Sequence, residues 1–371
     1  MRPPGADAYE VLVEAGVLDR LPALVGERAP AAHYAVVTDE NVAPLHAAGV
    51  HEALAAAGSA SLHVVPPGEA SKSRARWAEL TDALLAVGMG RDGCVVAVGG
   101  GVVGDLAGFV AATYLRGVPL VQVPTSLLAM VDASVGGKTG IDVPAGKNLV
   151  GAFHQPRVVV ADPAVLRTLP LEELRYGLAE AVKHGLIADA AYLATIEAGA
   201  DDLLARDAGA LEALVRRSVE LKAAVVGRDP LEAGERAILN AGHTIAHALE
   251  RVTDYRLAHG AAVAVGLVVE ARAGEAAGHT EPGTADRLAR LLTRLGLPGA
   301  PPPGTDPGAV LAATATDKKG RGGRARYALP AAAGRMARAT DGGWTLELDE
   351  KHLQTALKWR ADALSGEASD V

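Results

Sequence analysis

The sequence predicts an α/β N-terminal domain with a parallel sheet, followed by a mainly α-helical domain. Three observations lead to this fold class. The chain has 371 residues, 49% of them apolar, which is more than a single hydrophobic core usually holds together. In its first half, short β-branched runs alternate with helical patterns, as in a sheet of parallel strands joined by crossover helices. From about residue 171 onward, long amphipathic segments replace the strands.

The first domain is predicted to cover residues 1–170. Its predicted strands are short runs rich in β-branched residues, too short to form helices. The segments between these runs are rich in alanine and leucine, as expected of helices. The four clearest strands are Tyr34–Thr38, Ser61–Val65, Cys94–Val98 and Leu120–Val123. The alternation predicts a Rossmann-like parallel sheet.

The second domain is predicted to cover residues 171–364. Its clearest helices are Leu171–Ile187, Ala208–Val226, Glu235–Arg251 and Gly260–Ala277. A Pro/Gly-rich stretch, Leu297–Gly308, predicts a surface loop. Residues 365–371 are predicted to form a disordered tail.

Charge and cysteine content limit the classes of partner and compartment. The net charge of -8 disfavours nucleic acid, since no basic stripe offsets it. The chain has one cysteine, Cys94, so it cannot form an intrachain disulfide, and this fits a reducing cytoplasm. Cys94 lies in an apolar run, as a buried thiol would. The N-terminal residues lack an apolar signal region, and no charge-free stretch is long enough to span a bilayer. We therefore expect a cytoplasmic protein without a membrane partner.

A glycine turn follows the third predicted strand. In the segment Gly99–Asp105 the chain passes from a buried strand into a helix through three successive glycines. Such a turn lets backbone N–H groups approach a diphosphate at a helix N-terminus. Taken alone, it more often serves tight strand–helix packing. Asp39 and Asn41 after the first strand, and Gly68–Lys72 after the second, favour a nucleotide, because the ends of parallel strands face one crevice.

Three histidines and one glutamate suggest a metal centre. His243 and His247 are four residues apart and share one face of a predicted helix. A lone pair of this kind is a core or solvent feature about as often as a metal site. Here His259 opens the next helix, and Glu180 lies in an earlier one. One carboxylate and two imidazoles, with a coordination position left open, match a catalytic divalent metal.

The placement of lysine suggests a phosphorylated substrate. Lysine occurs nine times among the 36 basic residues, so the chain uses arginine wherever any cation suffices. Seven of the nine lie in polar, glycine-rich or catalytic-looking motifs, whereas Lys351 and Lys358 fit a solvated helix surface. A compact point charge that must reach a phosphate or hydroxyl is not replaced by a guanidinium. Clustered lysines in an acidic protein therefore predict an anionic, phosphorylated substrate.

Taken together, these motifs resemble those of the 3-dehydroquinate synthases, a family of sugar phosphate cyclases. The resemblance extends from about Val36 to Gly334. Its motifs are Gly99–Tyr114, Gln122–Leu128, Val131–Thr139, Gly146–Phe153, the Glu180 and His243 helices, His259-Gly260 and Asp317–Lys319. It implies a dehydroquinate synthase-like fold, NAD as cofactor, one divalent metal (zinc or cobalt) and a homodimer.

The resemblance also implies which residues form the site. The metal ligands would be Glu180, His243 and His259. NAD contacts would be Asp39, Asn41, Glu69, Lys72, Gly101, Val102, Val103, Gly104, Asp105, Thr125, Ser126, Lys138, Lys147, Val165, Leu166, Arg167 and Thr168. Substrate contacts would be Asp132, Lys138, Asn148, Lys183, Lys222, Arg236, Asn240, His247 and one of Lys318 or Lys319, with Arg116 reaching the substrate phosphate of the neighbouring subunit.

The implied activity converts 3-deoxy-D-arabino-heptulosonate 7-phosphate into 3-dehydroquinate and phosphate, a carbon–oxygen lyase step of the shikimate pathway. NAD-assisted oxidation, phosphate elimination, reduction and intramolecular aldol closure make up the reaction. Another sugar phosphate cyclase, such as an aminodehydroquinate synthase, stays open as an alternative. Cyclases whose substrates lack a carboxylate fit less well, because Arg236 would clamp that group. A metal-dependent polyol dehydrogenase, which would consume NAD, and a non-catalytic sensor are further alternatives.

Overall fold

The computed structural model describes residues 8–314 and 325–359. The chain forms two compact units, one of residues 1–174 and 208–227, the other of residues 175–207 and 228–371. Helix α8 (Ala208–Arg228) thus belongs almost entirely to the first unit, whereas the sequence-based division at residue 170 follows chain order. Lys318, Lys319 and the predicted tail 365–371 lie outside the described residues.

A six-stranded sheet forms the centre of the first unit. All its pairings are parallel, in the order β1-β8-β5-β4-β2-β3. The strands are β1 (Glu10–Val13), β2 (Tyr34–Asp39), β3 (Ala60–Val65), β4 (Cys94–Gly99), β5 (Leu120–Pro124) and β8 (Val158–Ala161). All four predicted strands are confirmed, and the parallel sheet with them. Strand β8 was not predicted, although its three valines are β-branched like those of the other strands.

Helices cover both faces of this sheet, which explains its apolar strands. Successive side chains of a strand point to opposite faces, so Ala35 and Val37 enter one core cluster while Val36 enters the other. The helices are α1 (Leu21–Arg28), α2 (Ala48–Ala57), α3 (Arg74–Ala86) and α4 (Gly101–Thr113). Strand order reverses between β2 and β4, and ligands of open α/β sheets bind outside the carboxyl ends of strands at such a point.

An antiparallel hairpin, β6 (Lys138–Val143) and β7 (Gly146–Phe153), also belongs to the first unit. It packs against α4 at Gly108, where an added Cβ would lie 2.4 Å from Thr139 Cγ2. These strands were not predicted, although two of the family motifs lie here, because glycine and charged residues mask the strand pattern.

The second unit is mainly helical, as predicted. Its helices are α5 (Leu171–Ala188, which belongs to this unit from Arg175 onward), α6 (Ala190–Ala198), α7 (Ala200–Leu204), α9 (His243–Val252), α10 (His259–Ala276), α11 (Thr284–Arg294), α12 (Pro307–Thr314) and α13 (Glu350–Lys358). Helix α10 is buried on nearly all sides, as expected of a helix that is apolar all round. None of the described helices is long and apolar enough to cross a membrane.

Three predictions for the second unit need correction. The single helix predicted over Glu235–Arg251 is wrong: Glu235–Asn240 is a 3-10 turn, and Gly242 then takes the left-handed φ of 78° before α9 begins. Strands do not stop at residue 171, since β9 (Pro330–Ala332) pairs with β10 (Arg335–Met336). The predicted loop ends earlier than expected, because α12 already begins at Pro307.

Candidate active site

The candidate metal ligands come together in the second unit. Glu180 on α5 is fully buried. One of its carboxylate oxygens, Oε1, lies 3.4 Å from His243 Nε2 and 3.7 Å from His259 Nε2. These histidines are the first residues of α9 and α10. One ligand atom from each of the three residues lies within 4.8 Å of the other two.

The spacing of these atoms fits a divalent ion. Ligand atoms about 2.1 Å from a tetrahedral ion are roughly 3.4 Å apart, close to the two observed separations. The donor set, one carboxylate and two imidazoles, is that of catalytic sites that keep a position for water or substrate. The geometry therefore fits the metal that the sequence predicts.

The far nitrogens of both histidines also face acceptors. His243 Nδ1 lies 3.2 Å from the carbonyl oxygen of Ala241, and His259 Nδ1 lies 3.5 Å from Oε1 of the buried Glu250. Partners of this kind fix the tautomer and orientation of a ligating ring. Glu250 was not among the predicted site residues, although it lies three residues after His247 and seven after His243, on the same helical face.

Charges around the histidines shift their pKa values in opposite directions. Burial lowers the pKa of His243 to about 4, and the Lys183 ammonium acts in the same direction. For His259, burial also favours the neutral ring, but the carboxylates of Glu180 and Glu250 outweigh it and raise the pKa to about 9. In metal-free protein the two rings therefore differ in charge near neutral pH.

Lys183 and His247 lie beside this centre. Lys183, one turn after Glu180 on α5, is buried and forms an ion pair with Glu180 Oε2. The ring of His247 meets that of His243 edge-on at 5.5 Å between centroids and stacks on that of His259 at 6.2 Å. Both predicted substrate contacts thus adjoin the metal ligands.

A buried carboxylate holds the helix that carries His243 and His247. Glu270 on α10 accepts the backbone N–H groups of Gly242 (2.8 Å) and Ile245 (3.1 Å) at the start of α9. The two helices approach closely here, because an added Cβ at Gly266 would lie 2.0 Å from the Gly242 carbonyl oxygen. Position 266 must therefore be glycine, and the Gly242 backbone lies directly against α10.

The other predicted substrate contacts of this unit lie before α9. Arg236 is buried and donates through Nη1 to the Pro230 carbonyl oxygen at 2.7 Å. Asn240 Nδ2 donates to Glu232 Oε1 at 2.9 Å. The Asp229 carboxylate fixes the intervening loop by accepting backbone N–H groups, among them that of Arg236 at 2.9 Å.

The glycine turn of the first unit has the predicted strand–turn–helix form. Strand β4 ends at Gly99 and α4 begins at Gly101, and no side-chain hydrogen bond caps the start of α4. Its first N–H groups can therefore meet an anionic ligand. An added Cβ at Gly104 would lie 2.9 Å from Gln122 Oε1, so the packing interpretation of the glycines holds as well.

Other predicted NAD contacts lie on the segments that follow the strands. Asp39, at the end of β2, accepts the N–H groups of Asn41 (2.9 Å) and Val42 (3.0 Å). Thr125 and Ser126 follow β5, and Ser126 Oγ accepts the Ala129 N–H group at 3.3 Å. The predicted contacts Val165, Leu166, Arg167 and Thr168 form or follow a 3-10 turn after β8. The Thr168 hydroxyl also lies 2.8 Å from His46 Nε2, a neighbour that the sequence did not indicate.

Lys72 joins three polar groups of the first unit. Its buried ammonium lies 2.8 Å from Asp105 Oδ2, 2.6 Å from Asn148 Oδ1 and 3.5 Å from Glu69 Oε1. Burial disfavours the charged form, but the carboxylates of Asp105 and Glu69 outweigh it and raise the pKa of Lys72. Residues predicted for NAD and for substrate thus meet at one cation.

Asp132 and Lys222 form a second pair in this unit. Lys222 Nζ on α8 lies 2.9 Å from Asp132 Oδ1 and also donates to the Asp132 carbonyl oxygen. The hairpin carries Lys138, Lys147 and Asn148, of which Lys138 and Asn148 are exposed. Arg116 lies apart from the glycine turn, on an exposed turn beyond the opposite end of α4. That helix ends at Thr113, and a short 3-10 turn, Tyr114–Arg116, follows it.

Comparison with known proteins identifies the family. The model of the 3-dehydroquinate synthase N-terminal domain matches residues 62–176, and that of the C-terminal domain matches residues 177–320. A 3-dehydroquinate synthase from Symbiobacterium thermophilum is 48% identical over 340 residues, 91% of this chain and 95% of the relative. One from Xanthomonas axonopodis pv. citri is 48% identical over 337 residues, 88% of this chain and 90% of the relative.

Solved structures show the same fold. A 2-deoxy-scyllo-inosose synthase bound to carbaglucose-6-phosphate, NAD+ and Co2+ has 25% identity and a TM-score of 0.85, covering 95% of this chain and 96% of that one. The 2-epi-5-epi-valiolone synthase of Streptomyces hygroscopicus subsp. jinggangensis, with NAD+ and Zn2+, has 29% identity and a TM-score of 0.85, covering 94% and 95%. A probable glycerol dehydrogenase from Sinorhizobium meliloti, with 18% identity and a TM-score of 0.62, shares the fold alone.

The predicted fold class and family resemblance are both confirmed by these matches. The identity to the curated relatives extends over nearly the whole chain, well beyond the metal and glycine motifs. The chain belongs to the 3-dehydroquinate synthase family.

Proposed function

We propose that this protein is a 3-dehydroquinate synthase. It would convert 3-deoxy-D-arabino-heptulosonate 7-phosphate into 3-dehydroquinate and inorganic phosphate, as a carbon–oxygen lyase of the shikimate pathway. The observation that carries the proposal is the 48% identity to a synthase of this name over 91% of the chain. The three converging metal ligands, Glu180, His243 and His259, support it.

The cofactors would be NAD and one divalent metal, zinc or cobalt. Glu180, His243 and His259 would hold the metal. NAD would lie on the glycine turn and the segments after β2, β3, β5 and β8, since the open start of α4 and the sheet's reversal point favour a dinucleotide there. When bound, NAD supplies a hydride acceptor and donor, and the metal supplies Lewis acidity toward substrate oxygens.

Asp132, Lys183 and Lys222 would orient the substrate hydroxyls and stabilise the charge that develops on them. Asp132 can accept a hydroxyl proton, and the Lys222 ammonium 2.9 Å away can stabilise the resulting charge. Lys183, paired with Glu180, would place a second ammonium beside the metal ligands. Both lysines are buried, and a compact ammonium suits this space better than a planar guanidinium.

Cationic and amide groups would bind the two acidic ends of the substrate. Lys138, Asn148, His247 and one of Lys318 or Lys319 would hold the phosphate, which leaves when its C–O bond breaks. Arg236 would bind the carboxylate, where its fork can donate two parallel hydrogen bonds, and Asn240 would lie beside it. The buried position of Arg236 supports this role, because it limits competition from water.

The direct test supplies the heptulosonate phosphate with a trace of NAD and a divalent metal. We expect many molecules of dehydroquinate and phosphate per NAD, loss of turnover on chelation, and recovery with zinc or cobalt. NADH rising in step with product would instead indicate a polyol dehydrogenase. Turnover only of an amino analogue would indicate an aminodehydroquinate synthase, and no turnover of either would contradict the proposal.

We further propose a cytoplasmic homodimer in which Arg116 acts on the neighbouring subunit. Helix α4 has 13 residues and is therefore about 20 Å long. Arg116, beyond its far end, is thus remote from the glycine turn of its own chain. A partner subunit could bring this arginine to a substrate phosphate.

Mixing two inactive variants tests this arrangement. Arg116→Ala and Glu180→Ala proteins are combined under conditions that exchange subunits. If Arg116 acts across an interface, one site of each heterodimer has an intact metal centre and an intact arginine, so activity returns. If the mixture stays inactive although subunit exchange is demonstrated, Arg116 does not act in this way.

A further inference from the structure

Three residues of the first unit form a closed ring of hydrogen bonds. The Asp142 N–H group donates to the Lys72 carbonyl oxygen at 2.7 Å. The Asn148 N–H group donates to Asp142 Oδ1 at 2.7 Å. Lys72 Nζ donates to Asn148 Oδ1 at 2.6 Å. Each residue is thus bonded to the other two.

The ring holds Asn148 in an unusual backbone conformation. Its φ of 53° lies in the left-handed region, which asparagine tolerates better than most residues. The hairpin register also shifts between Ile141 and Val143, so ordinary strand pairing does not fix this stretch. The bond from Asp142 to the Asn148 N–H group supplies the missing constraint.

The ring also determines which way the Asn148 amide faces. An ammonium group only donates hydrogen bonds, so the amide oxygen must point toward Lys72. The amide nitrogen, with its two N–H donors, must then point away from that cation. Asn148 is exposed, so these donors can meet an anion that arrives from solvent.

We propose that Asp142 is a positioning residue that presents the Asn148 amide to the substrate phosphate. Asp142 sets the Asn148 backbone, and Lys72 sets the rotation of its amide. Lys72 also contacts Asp105 and Glu69, so one ammonium links residues predicted for NAD to the phosphate ligand. The phosphate role of Asn148 rests on the proposed function, whereas the ring itself does not.

Binding of inorganic phosphate, the expected product, tests the proposal without turnover. The chain contains only three asparagines, Asn41, Asn148 and Asn240. Protein loaded with NAD and zinc and labelled with 15N-asparagine therefore gives three side-chain amide pairs, assigned by substitution. In the wild type, phosphate should shift the Asn148 pair, and its dissociation constant can be read from the titration.

The variants are Asp142→Ala, Asp142→Asn, Asn148→Ala and the double alanine variant. Asp142→Ala should weaken phosphate binding by about ten-fold, the scale of one charge-assisted hydrogen bond, with NAD affinity unchanged. Asp142→Asn keeps an acceptor oxygen and should restore most of the affinity. The double variant should bind no more weakly than Asn148→Ala, because a positioning residue acts through its target.

Thr139→Val is the matched control. It removes another hydrogen bond of the same hairpin, from Thr139 Oγ1 to the Ala152 carbonyl oxygen, and should lower stability without changing phosphate affinity. Equal affinity losses in Thr139→Val and Asp142→Ala, additive losses in the double variant, or failure of Asp142→Asn to restore binding would each overturn the proposal. Phosphate binding with these couplings in a protein that does not convert the heptulosonate would contradict only the proposed function.

Discussion

The candidate metal ligands lie on helices, whereas Lys138 and Asn148, two of the predicted phosphate ligands, lie on a hairpin. Glu180 is fully buried, and its neighbours include Lys183, His243 and His259. Lys138 and Asn148 are exposed. Each region lies within its own compact unit.

The difference reflects what each ligand requires. A metal needs donor atoms at fixed separations, so burying them among rigid helices is useful, provided each buried charge has a partner. Glu250 faces the His259 ring, and Glu270 accepts a backbone N–H group at the start of α9, so both carboxylates help to fix the positions of the donor atoms. A phosphorylated substrate must enter and leave, so its ligands must be reached from solvent. In the hairpin, hydrogen bonds such as that from Asn148 to Asp142, and not burial, fix the positions of the side chains.

The largest expected effect comes from Glu180→Gln. The amide keeps the shape of the side chain but removes the charge that faces both histidines. We expect turnover to fall by more than about a hundred-fold, the upper range for residues that only support a ligand, with loss of bound metal. Glu172→Gln on the exposed start of the same helix is the control. Metal analysis and turnover check this, and full metal content in Glu180→Gln would show that the ligand set is wrong.

Glu250→Gln should have the next largest effect. The carboxylate faces Nδ1 of His259, and removing such a partner typically costs between about ten-fold and a hundred-fold in metal affinity. Competition against a chelator measures that affinity. Asp254→Asn is the control, since it makes the same change from acid to amide. Asp254 has a left-handed φ of 51°, a conformation that asparagine tolerates, so the substitution should not strain the backbone. An unchanged affinity in Glu250→Gln would mean that α9 and α10 orient His259 without its help.

Lys138→Ala tests the hairpin side of the comparison. Lys138 is an exposed residue, and loss of its ammonium should raise KM for the phosphorylated substrate by about ten-fold, as expected for one charge-assisted hydrogen bond. Metal content and thermal stability should not change. If Lys138→Ala released the metal, the two regions would not be independent and the comparison would fail.

The smallest expected effect is a pH dependence of the metal-free protein. Its His243 pKa is about 4 and its His259 pKa about 9, against an ordinary value of 6.5. His259 therefore stabilises the fold fully below 6.5, and this contribution is lost as the pH rises toward 9. The His243 contribution is lost instead as the pH falls from 6.5 toward 4. Together they place maximum stability near 6.5, which denaturant unfolding with a chelator present can check.

The same values predict how metal binding responds to pH. Between the two pKa values His243 is neutral and His259 is protonated, so binding must release about one proton. Calorimetry in two buffers of different ionisation enthalpy measures this number. Release of no proton in that range would show that His259 is already neutral. Glu180 and Glu250 would then not raise its pKa as expected.

The sequence was a good guide to elements with strong periodicity. The predicted ends of the strands β2, β3, β4 and β5 and of the helices α5, α8 and α10 all agree with the structure within two residues. The hairpin β6–β7 was missed because glycine and lysine obscure the alternation. The helix over Glu235–Arg251 was predicted too long because its apolar spacing continues through Gly242. In the structure Gly242 takes a left-handed φ of 78°, and its backbone N–H group donates to the Glu270 carboxylate.

The residues of the candidate site also fall into two groups, those that the sequence could predict and those that it could not. Glu180, His243 and His259 could be chosen because metal chemistry limits the residue types, and a family resemblance added the lysines. The roles of Glu250, Asp142 and His46 could not be predicted from the sequence, since acidic residues and histidines are common outside functional sites. Their partners His259, Asn148 and Thr168 are 9, 6 and 122 positions away.

The sequence by itself determined the order of strands and helices, the residue types for a metal and a nucleotide, and the family. These follow from local periodicity and from chemistry that few residue types can supply. Only the tertiary structure decided that one Glu180 oxygen faces two imidazoles, that Glu250 and Glu270 support them, and that Lys72, Asp142 and Asn148 close a ring. Burial and neighbouring charges set the pKa values, and hydrogen bonds set the amide orientation; both depend on which distant segments pack together.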